Sequence, residues 1–536
     1  MKCCEKTLYR NGCIVTLDAT DNRAEAVLTA GDRIEAVGTA EELRRLGGPR
    51  LKEVNLDGAV VYPGFIDTHS HPDLLASWAA HAYCGGAGDL ASTLGILQRH
   101  SREHDQPIPT GYGFDDMGIA EKRGPTREEM DALFPDRPVL LLHISIHAAY
   151  INSHMYRLMG ISPDAPSDNP DVACENGRPN GLITETLVLT ALGHLPPVTL
   201  AGLKRDLGTA VEQYNAQGFT ACIGGGAGLG GLSPWLVYTA LAELENEGRL
   251  HMYAHMPVHA ACFDEVFATG LLSGPGSPLL RFHGMKLLVD GSIQAFTAAV
   301  PAGYHNRPQT KPAPIIPQEK LDDLVFKAHS AGQQAILHGN GDGAIASIIR
   351  AVEKAQTRCP RKDPRHLLIH CQMASDEHLE RMKAAGLWPS FFALHVWNWG
   401  DRHREIFLGP TRAARIDPCG SAVRLGLPFS LHADTPVLPQ MTMQSIHTAV
   451  NRITSAGLPL GPEQRVSVLD ALRAYTTHAA AMCFEEKRRG SIEPGKLADF
   501  TLLDADPRAV PAENINRIRI VSTVSMGRPV WGALKP

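Results

Sequence analysis

The segment Pro63-Gly64-Phe65-Ile66-Asp67-Thr68-His69-Ser70-His71 ends a short apolar run with two histidines at positions i and i+2. On a strand, side chains two residues apart point to one face, so both imidazoles can reach a single metal ion. One His-x-His is weak evidence alone, but the pattern recurs. Gln334-Ala335-Ile336-Leu337-His338 and Leu367-Leu368-Ile369-His370 each place a histidine directly after an apolar run. Phe429-Ser430-Leu431-His432-Ala433-Asp434 places an aspartate there, and Met285-Lys286-Leu287-Leu288-Val289 sets a lysine inside a run that is otherwise apolar. Imidazoles and a carboxylate are ligands for a divalent metal, with zinc the first choice. The chemistry such a site performs is hydrolysis by metal-activated water.

These residues can meet only if the runs that carry them are strands ending at one place. Apolar runs alternate with helical segments such as Leu203–Gln217, Glu319–Ala331 and Ala344–Gln356, the signature of parallel strands with crossover helices. Eight runs qualify as strands: Val61–Ile66, Phe219–Ile223, Met252–Val258, Met285–Val289, Gln334–Leu337, Leu367–Ile369, Ser390–Leu394 and Phe429–Leu431. Eight is the number of a (β/α)8 TIM-like barrel, whose strands bring their C-terminal ends to one mouth. A ninth run, Val139–His143, lies in a stretch from about 80 to 205 that is too long for one strand-to-helix connection. That stretch is expected to be an insertion over the barrel mouth. Residues 1–60 read as short strands punctuated by Asn11-Gly12 and Gly31-Asp32, and Ala498–Leu503 and Val521–Trp531 read the same way. Neither end suffices for a domain, so the expected architecture is α/β: a barrel over 61–484 and a composite β-sandwich from 1–60 and 485–536.

The composition narrows the partners. The 536 residues are 44% hydrophobic and 20% charged, and 51 Lys and Arg against 57 Asp and Glu give a net charge of −6. That balance argues against nucleic-acid binding. No apolar run approaches ~20 residues, so no membrane-spanning helix is expected. The start, Met1 to Lys6, lacks the apolar stretch of a signal peptide. The eleven cysteines are scattered without a Cys-x-x-Cys pair, which fits free thiols in a reducing compartment and a cytoplasmic location. Gly224-Gly225-Gly226-Ala227-Gly228-Leu229-Gly230-Gly231 lacks the ending of a phosphate-binding loop and reads as a mobile loop at the barrel mouth. Glu485-Glu486-Lys487-Arg488-Arg489 reads as a solvated charge run.

Taken in order, the PGFIDTHSH segment, the KLLVDGS segment around Lys286, the strand-end histidines, the HADTPV segment and the closing GSIEPGKLADFTLLD segment resemble the amidohydrolase superfamily. The likeness is to its amidohydrolase 3 group, which includes N-substituted formamide deformylases, and it runs over nearly the whole chain. It implies that His69 and His71, with Asp434, bind the more buried metal ion. It further implies that His338 and His370 bind a second, and that Lys286, carboxylated by CO2, bridges two zinc ions. A neutral or ion-paired structural Lys286, with one metal, is the alternative. Asp434 would then take the proton of the attacking water and hand it to the leaving nitrogen. The substrate implied is a small amide: an N-formyl or N-acyl amine, or a cyclic amide. Ester or lactone hydrolysis, or a non-catalytic protein on the same scaffold, are the competing readings. Within the insertion, His147 is a candidate for polarising the carbonyl or binding substrate. Asp115 and Asp116 are candidates for a polar or cationic substrate end, against a turn or helix-cap role. His395, placed at the end of the seventh strand, and Trp397 are candidates for the pocket wall. A homodimer is the base expectation for such enzymes.

Overall fold

The computed structural model describes residues 5–534; Cys3 and Cys4 lie outside them. Eight parallel strands form one sheet in chain order. They are β1 (Phe65–Ser70), β2 (Phe219–Gly224), β3 (Tyr253–His259), β4 (Leu280–Leu288), β5 (Ala335–Gly339), β6 (His366–His370), β7 (Leu387–Phe391) and β8 (Ser430–Leu431). Helices such as Leu200–Ala216, Gln318–Ser330 and Asp342–Arg358 cross between them. The helix Asp342–Arg358 buries Ile345, Ile348, Ile349 and Val352, one stripe at helical spacing. The barrel closes where β1 meets the segment after β8. There the Asp434 N–H donates to the His69 carbonyl (3.0 Å) and the His71 N–H to that of Thr435 (2.7 Å). Inside, the Thr68 hydroxyl pairs with Ser430 Oγ at 2.7 Å and Ser390 Oγ at 2.8 Å.

The expected first strand, Val61–Ile66, is two strands. Val60–Pro63 pairs with Cys13–Val15 and Phe500–Leu503 in a second sheet, and β1 begins only at Phe65. The apolar run is continuous because both pieces are buried, so composition gave no sign of the break at Gly64. A Cβ at Gly64 would overlap the Thr220 side chain, which is why the chain can change sheets there. That second sheet has six strands, Val60–Pro63 and two from the N-terminal part with three from residues 500–531, and it faces a four-stranded sheet of N-terminal strands. Tyr9, Ile14, Val27, Val61, Phe500 and Val524 fill the space between them. The two ends of the chain therefore share one sandwich core.

The run at Val139–His143 forms strand Leu140–His143 outside the barrel, in a six-stranded mixed sheet built from residues 82–184. Among the described residues no helix is long and apolar enough to cross a membrane, and the nine cysteines are free.

The charge run at 485–489 is not solvated throughout. Glu485 and Arg489 are buried. Arg489 donates to Asp499 Oδ2 at 2.8 Å and Glu485 Oε2 at 3.3 Å, and its guanidinium lies 4.5 Å from the centre of the Tyr253 ring. This triad fastens the sandwich beneath the barrel. Replacing Arg489 with Met leaves the buried Asp499 carboxylate without its cation and Glu485 with Arg488 alone, and should cost ~3–5 kcal/mol. The expected result is a clear fall in the denaturant midpoint, largely recovered when Glu485 and Asp499 are also made apolar.

Candidate metal centre

The C-terminal ends of the barrel strands converge as the parallel topology requires. His69 Nε2 lies 3.4 Å from Asp434 Oδ1, His71 Nε2 lies 3.6 Å from the same oxygen, and His370 Nε2 lies 3.8 Å from Asp434 Oδ2. Donor atoms of His69, His370 and Asp434 all fall within 4.8 Å of one another. The His338 ring centre is 4.7 Å from that of His370. Lys286 Nζ sits 3.5 Å from His69 Nε2. The structure thus brings together His69, His71, Lys286, His338, His370 and Asp434. Both His370 and Asp434 have positive φ, 66° and 53°. Non-glycine residues persist in that region only where the surroundings impose it, which is common at functional sites.

Burial sets the charge of these groups. It pushes His69, His338 and His370 well below the ordinary histidine range, with neighbouring positive groups adding to the effect. Neutral imidazoles with lone pairs facing one another and a carboxylate are complementary to a cation. Burial likewise lowers Lys286 to about 7, against a smaller opposing pull from Asp434. Among the described residues no carboxylate lies within ion-pair distance of Lys286, and Asp434 acts on it from farther away. A buried amine that is readily uncharged is the form that reacts with CO2.

The first part of the glycine-rich run is packed, while Gly228, Gly230 and Gly231 are half-buried or exposed. Residues 224–227 are buried. A Cβ on Gly225 would overlap the His71 imidazole, and one on Gly226 (φ +122°) would press on the Lys286 stem at 2.8 Å. The run is a cradle for two donor side chains, a use of glycine that its phosphate-loop likeness obscured.

Around these donors stands a set of buried orienting groups. His432 Nε2 pairs with His370 Nδ1 at 3.2 Å, and His432 Nδ1 pairs with Ser390 Oγ at 2.8 Å. That chain turns Nε2 of His370 toward Asp434. Asp290 Oδ1 lies 3.3 Å from His338 Nδ1, and Asp290 accepts from the backbone of Ala299, Asn340 and Gly341. Burial raises Asp290 to about 6 despite those three donors. Asp67 accepts from the His69 and Ala433 N–H groups, locking β1 to the Asp434 loop. Asp290 and His432 obey the same strand-end rule as the donors and were findable by it. Glu185 carried no such signal: it meets His147 Nδ1 at 2.9 Å through pairing within the insertion sheet.

Two spaces open on this centre. A cavity of about 290 Å³ is lined by His69, His71, Lys286, His338, His370 and Asp434, with walls that include Leu74, Leu189, Leu229, Leu288, Ile316 and Leu324. A chamber of about 30 Å³ shares Ser145, His147, His338, His370, Asp434 and Val437 with it and is otherwise lined by Ser292, Gln294, Asn340, Phe392, His395 and Trp399. His147 lines both, and its ring centre is 5.0 Å from that of His338. Burial works against a charged His147, but the Glu185 carboxylate outweighs it and raises the pKa.

Three expected substrate contacts are engaged elsewhere. Asp115 takes both Arg402 nitrogens at 2.7 Å and Trp399 Nε1 at 3.2 Å, and Arg402 holds it ionised against the penalty of burial. Asp116 accepts from Tyr150 Oη at 2.8 Å and lies 3.4 Å from His143 Nε2, facing a separate cavity. Trp397 packs with Phe392, Leu394, Trp399 and Leu438 and lines neither space. β7 ends at Phe391, so His395 stands in the helix Leu394–Arg402, not at the strand end, yet it reaches the chamber with Nδ1 3.2 Å from Asp417.

Residues 52–531 match the amidohydrolase family. The chain belongs to that family. YtcJ of Bacillus subtilis (strain 168) is 30% identical over 550 residues, covering 98% of this chain and 99% of its own. An N-substituted formamide deformylase of Arthrobacter pascens is 29% identical over 551 residues, 96% of each. An uncharacterized metal-dependent hydrolase from Pyrococcus horikoshii OT3 shares the fold with a TM-score of 0.76 at 23% identity, over 95% of this chain and 99% of that one. Family membership and the donor cluster together support a hydrolase with a divalent metal.

Replacing Gly225 with Ala should drive the His71 ring from its place and lower bound metal without unfolding the barrel. Lys286→Ala should reduce metal content from about two equivalents to one or fewer if the lysine bridges two ions. Elemental analysis of protein purified without chelator measures both, and unchanged content in Lys286→Ala would remove the bridge.

Proposed function

We propose that the protein hydrolyses the C–N bond of a small amide, with an N-formyl amine as the best-fitting substrate. The observation that carries this reading is the inequality of the two spaces beside Asp434. A chamber of about 30 Å³ holds about two water molecules' worth of space and is rimmed by polar groups. It suits a formyl group and little more. The cavity of about 290 Å³ with leucine and isoleucine walls suits the apolar substituent of an amine. The resemblance to an N-substituted formamide deformylase supports the same assignment.

In this reading His69, His71 and Asp434 would hold one ion and His338 and His370 a second, with carboxylated Lys286 available as a ligand to both. The convergent imidazole and carboxylate donors support a divalent metal, and zinc is the ion we propose. Zinc so bound supplies Lewis acidity and activated water at neutral pH. Asp434 accepts the proton of the attacking water and returns it to the departing nitrogen. His147, held at Nδ1 by Glu185, donates from Nε2–H to the carbonyl oxygen as negative charge builds there. Asp290 and His432 keep the rings of His338 and His370 in place. The apolar wall excludes bulk water and holds the N-substituent, leaving the scissile bond over Asp434. His395 closes the chamber behind the acyl carbon.

Asp434→Asn should lower kcat by roughly 10²–10⁴-fold with the circular-dichroism spectrum intact. A wild-type kcat in that variant would remove Asp434 as the base. Across N-formyl, N-acetyl and N-propionyl derivatives of one apolar amine, kcat/KM should fall at each added carbon. A flat series would contradict the chamber assignment, and faster turnover of matched esters with no amide turnover would favour ester hydrolysis.

A further inference from the structure

Glu185 begins the helix Glu185–Gly193, directly after the insertion strand Arg178–Thr184, and its φ is +44°. For a glutamate that backbone is strained, and something must hold it. Its N–H donates to the His147 carbonyl at 3.0 Å, while its Oε2 meets His147 Nδ1 at 2.9 Å. The same two residues are thus tied at both backbone and side chain. The other oxygen, Oε1, is buried without a hydrogen-bond partner and lies against Gly291, where a Cβ would overlap it. A carboxylate that gives up hydration on one oxygen and sits on a strained residue is a poor choice for stability alone.

His147 is restrained from its other sides as well. Its N–H donates to Ser145 Oγ at 3.2 Å, and its ring rests near that of His338. With Nδ1 committed to Glu185, Nε2 is the nitrogen available to a ligand in the cavity and the chamber, both of which His147 lines.

We infer that Glu185 is a positioning residue for the reaction. It fixes the orientation of His147 so that Nε2–H meets the substrate carbonyl oxygen, and Gly291 supplies the space that lets it do so. Glu185 itself touches no reacting atom. This inference rests on the role proposed above for His147.

A double-mutant cycle on an N-formyl amine tests it. Glu185→Ala should lower kcat roughly 100-fold with KM little changed. His147→Ala should cost a similar factor, and the double variant should lose no more than either alone, because the two side chains act as one unit. Glu185→Gln, which still offers Nδ1–H an acceptor, should regain about tenfold over Glu185→Ala. In the zinc-loaded protein with ¹⁵N-labelled histidine, the His147 Nδ1–H resonance of a carboxylate-bound imidazole should be present in the wild type and absent in Glu185→Ala. Multiplicative losses in the cycle, or an unchanged His147 resonance in Glu185→Ala, would overturn the inference. Failure of the wild type to hydrolyse any N-formyl or N-acyl amine would instead overturn the proposed function, and the resonance would still decide whether Glu185 sets the state of His147.

Discussion

The constraint on which the rest of the molecule depends is the mutual burial of donors that cannot satisfy one another. His69 and His71 end one strand while His338, His370 and Asp434 end or follow three others, and parallel topology forces their side chains into one dry space. Hydrogen bonds among them are few and long, the shortest approach of a histidine to Asp434 being 3.4 Å. In an apolar core such a cluster would be among the most costly features a fold could carry. A cation reverses that sign. The same desolvation that keeps the imidazoles neutral also lowers Lys286 to about 7. One physical cause therefore prepares the imidazoles of His69, His338 and His370 and the amine of Lys286 together.

Holding these donors in place requires the parts of the fold that look incidental. The barrel is closed by contacts of Asp67, Thr68, His69 and His71 with the segment after β8, so closing the barrel and placing Asp434 are one event. The glycine run after β2 provides two missing side chains where His71 and Lys286 need room. The sandwich, tied to the barrel through Arg489, packs beneath and contributes no donor to the mouth.

How far the site could be read from sequence follows from where each residue sits. The eight strands and the donors at their ends were legible because a polar residue directly after a buried apolar run has a fixed meaning in a barrel. His432 and Asp290 obey that rule and differ only in facing other side chains. The break at Gly64 was not legible, since both flanking strands are buried and apolar. Asp115, Asp116 and Trp397 misled because an acid or a tryptophan in a loop carries no sign of its partner. Arg402, which claims Asp115, is 287 residues away along the chain. Glu485 and Arg489 misled for the same reason: a charged run looks solvated until Asp499 and Tyr253 are folded against it.

The insertion explains why donors and selectivity are encoded so differently. The metal donors belong to strands whose positions the barrel dictates, and small shifts there would dismantle the cluster. His147, Ser145, Ile146, Glu185 and Leu189 come instead from a separate sheet laid over the mouth, and they line the cavity beside those donors. A change in that sheet alters the shape of the cavity without touching a donor. The chamber is different: its far wall, Phe392, His395 and Trp399, grows from the connection after β7 and is braced by Asp417 and by the Asp115–Arg402 pair. The larger cavity can therefore vary with the insertion, while the chamber, although Ser145 and His147 of the insertion also line it, is braced on its far side by packing that reaches the barrel itself.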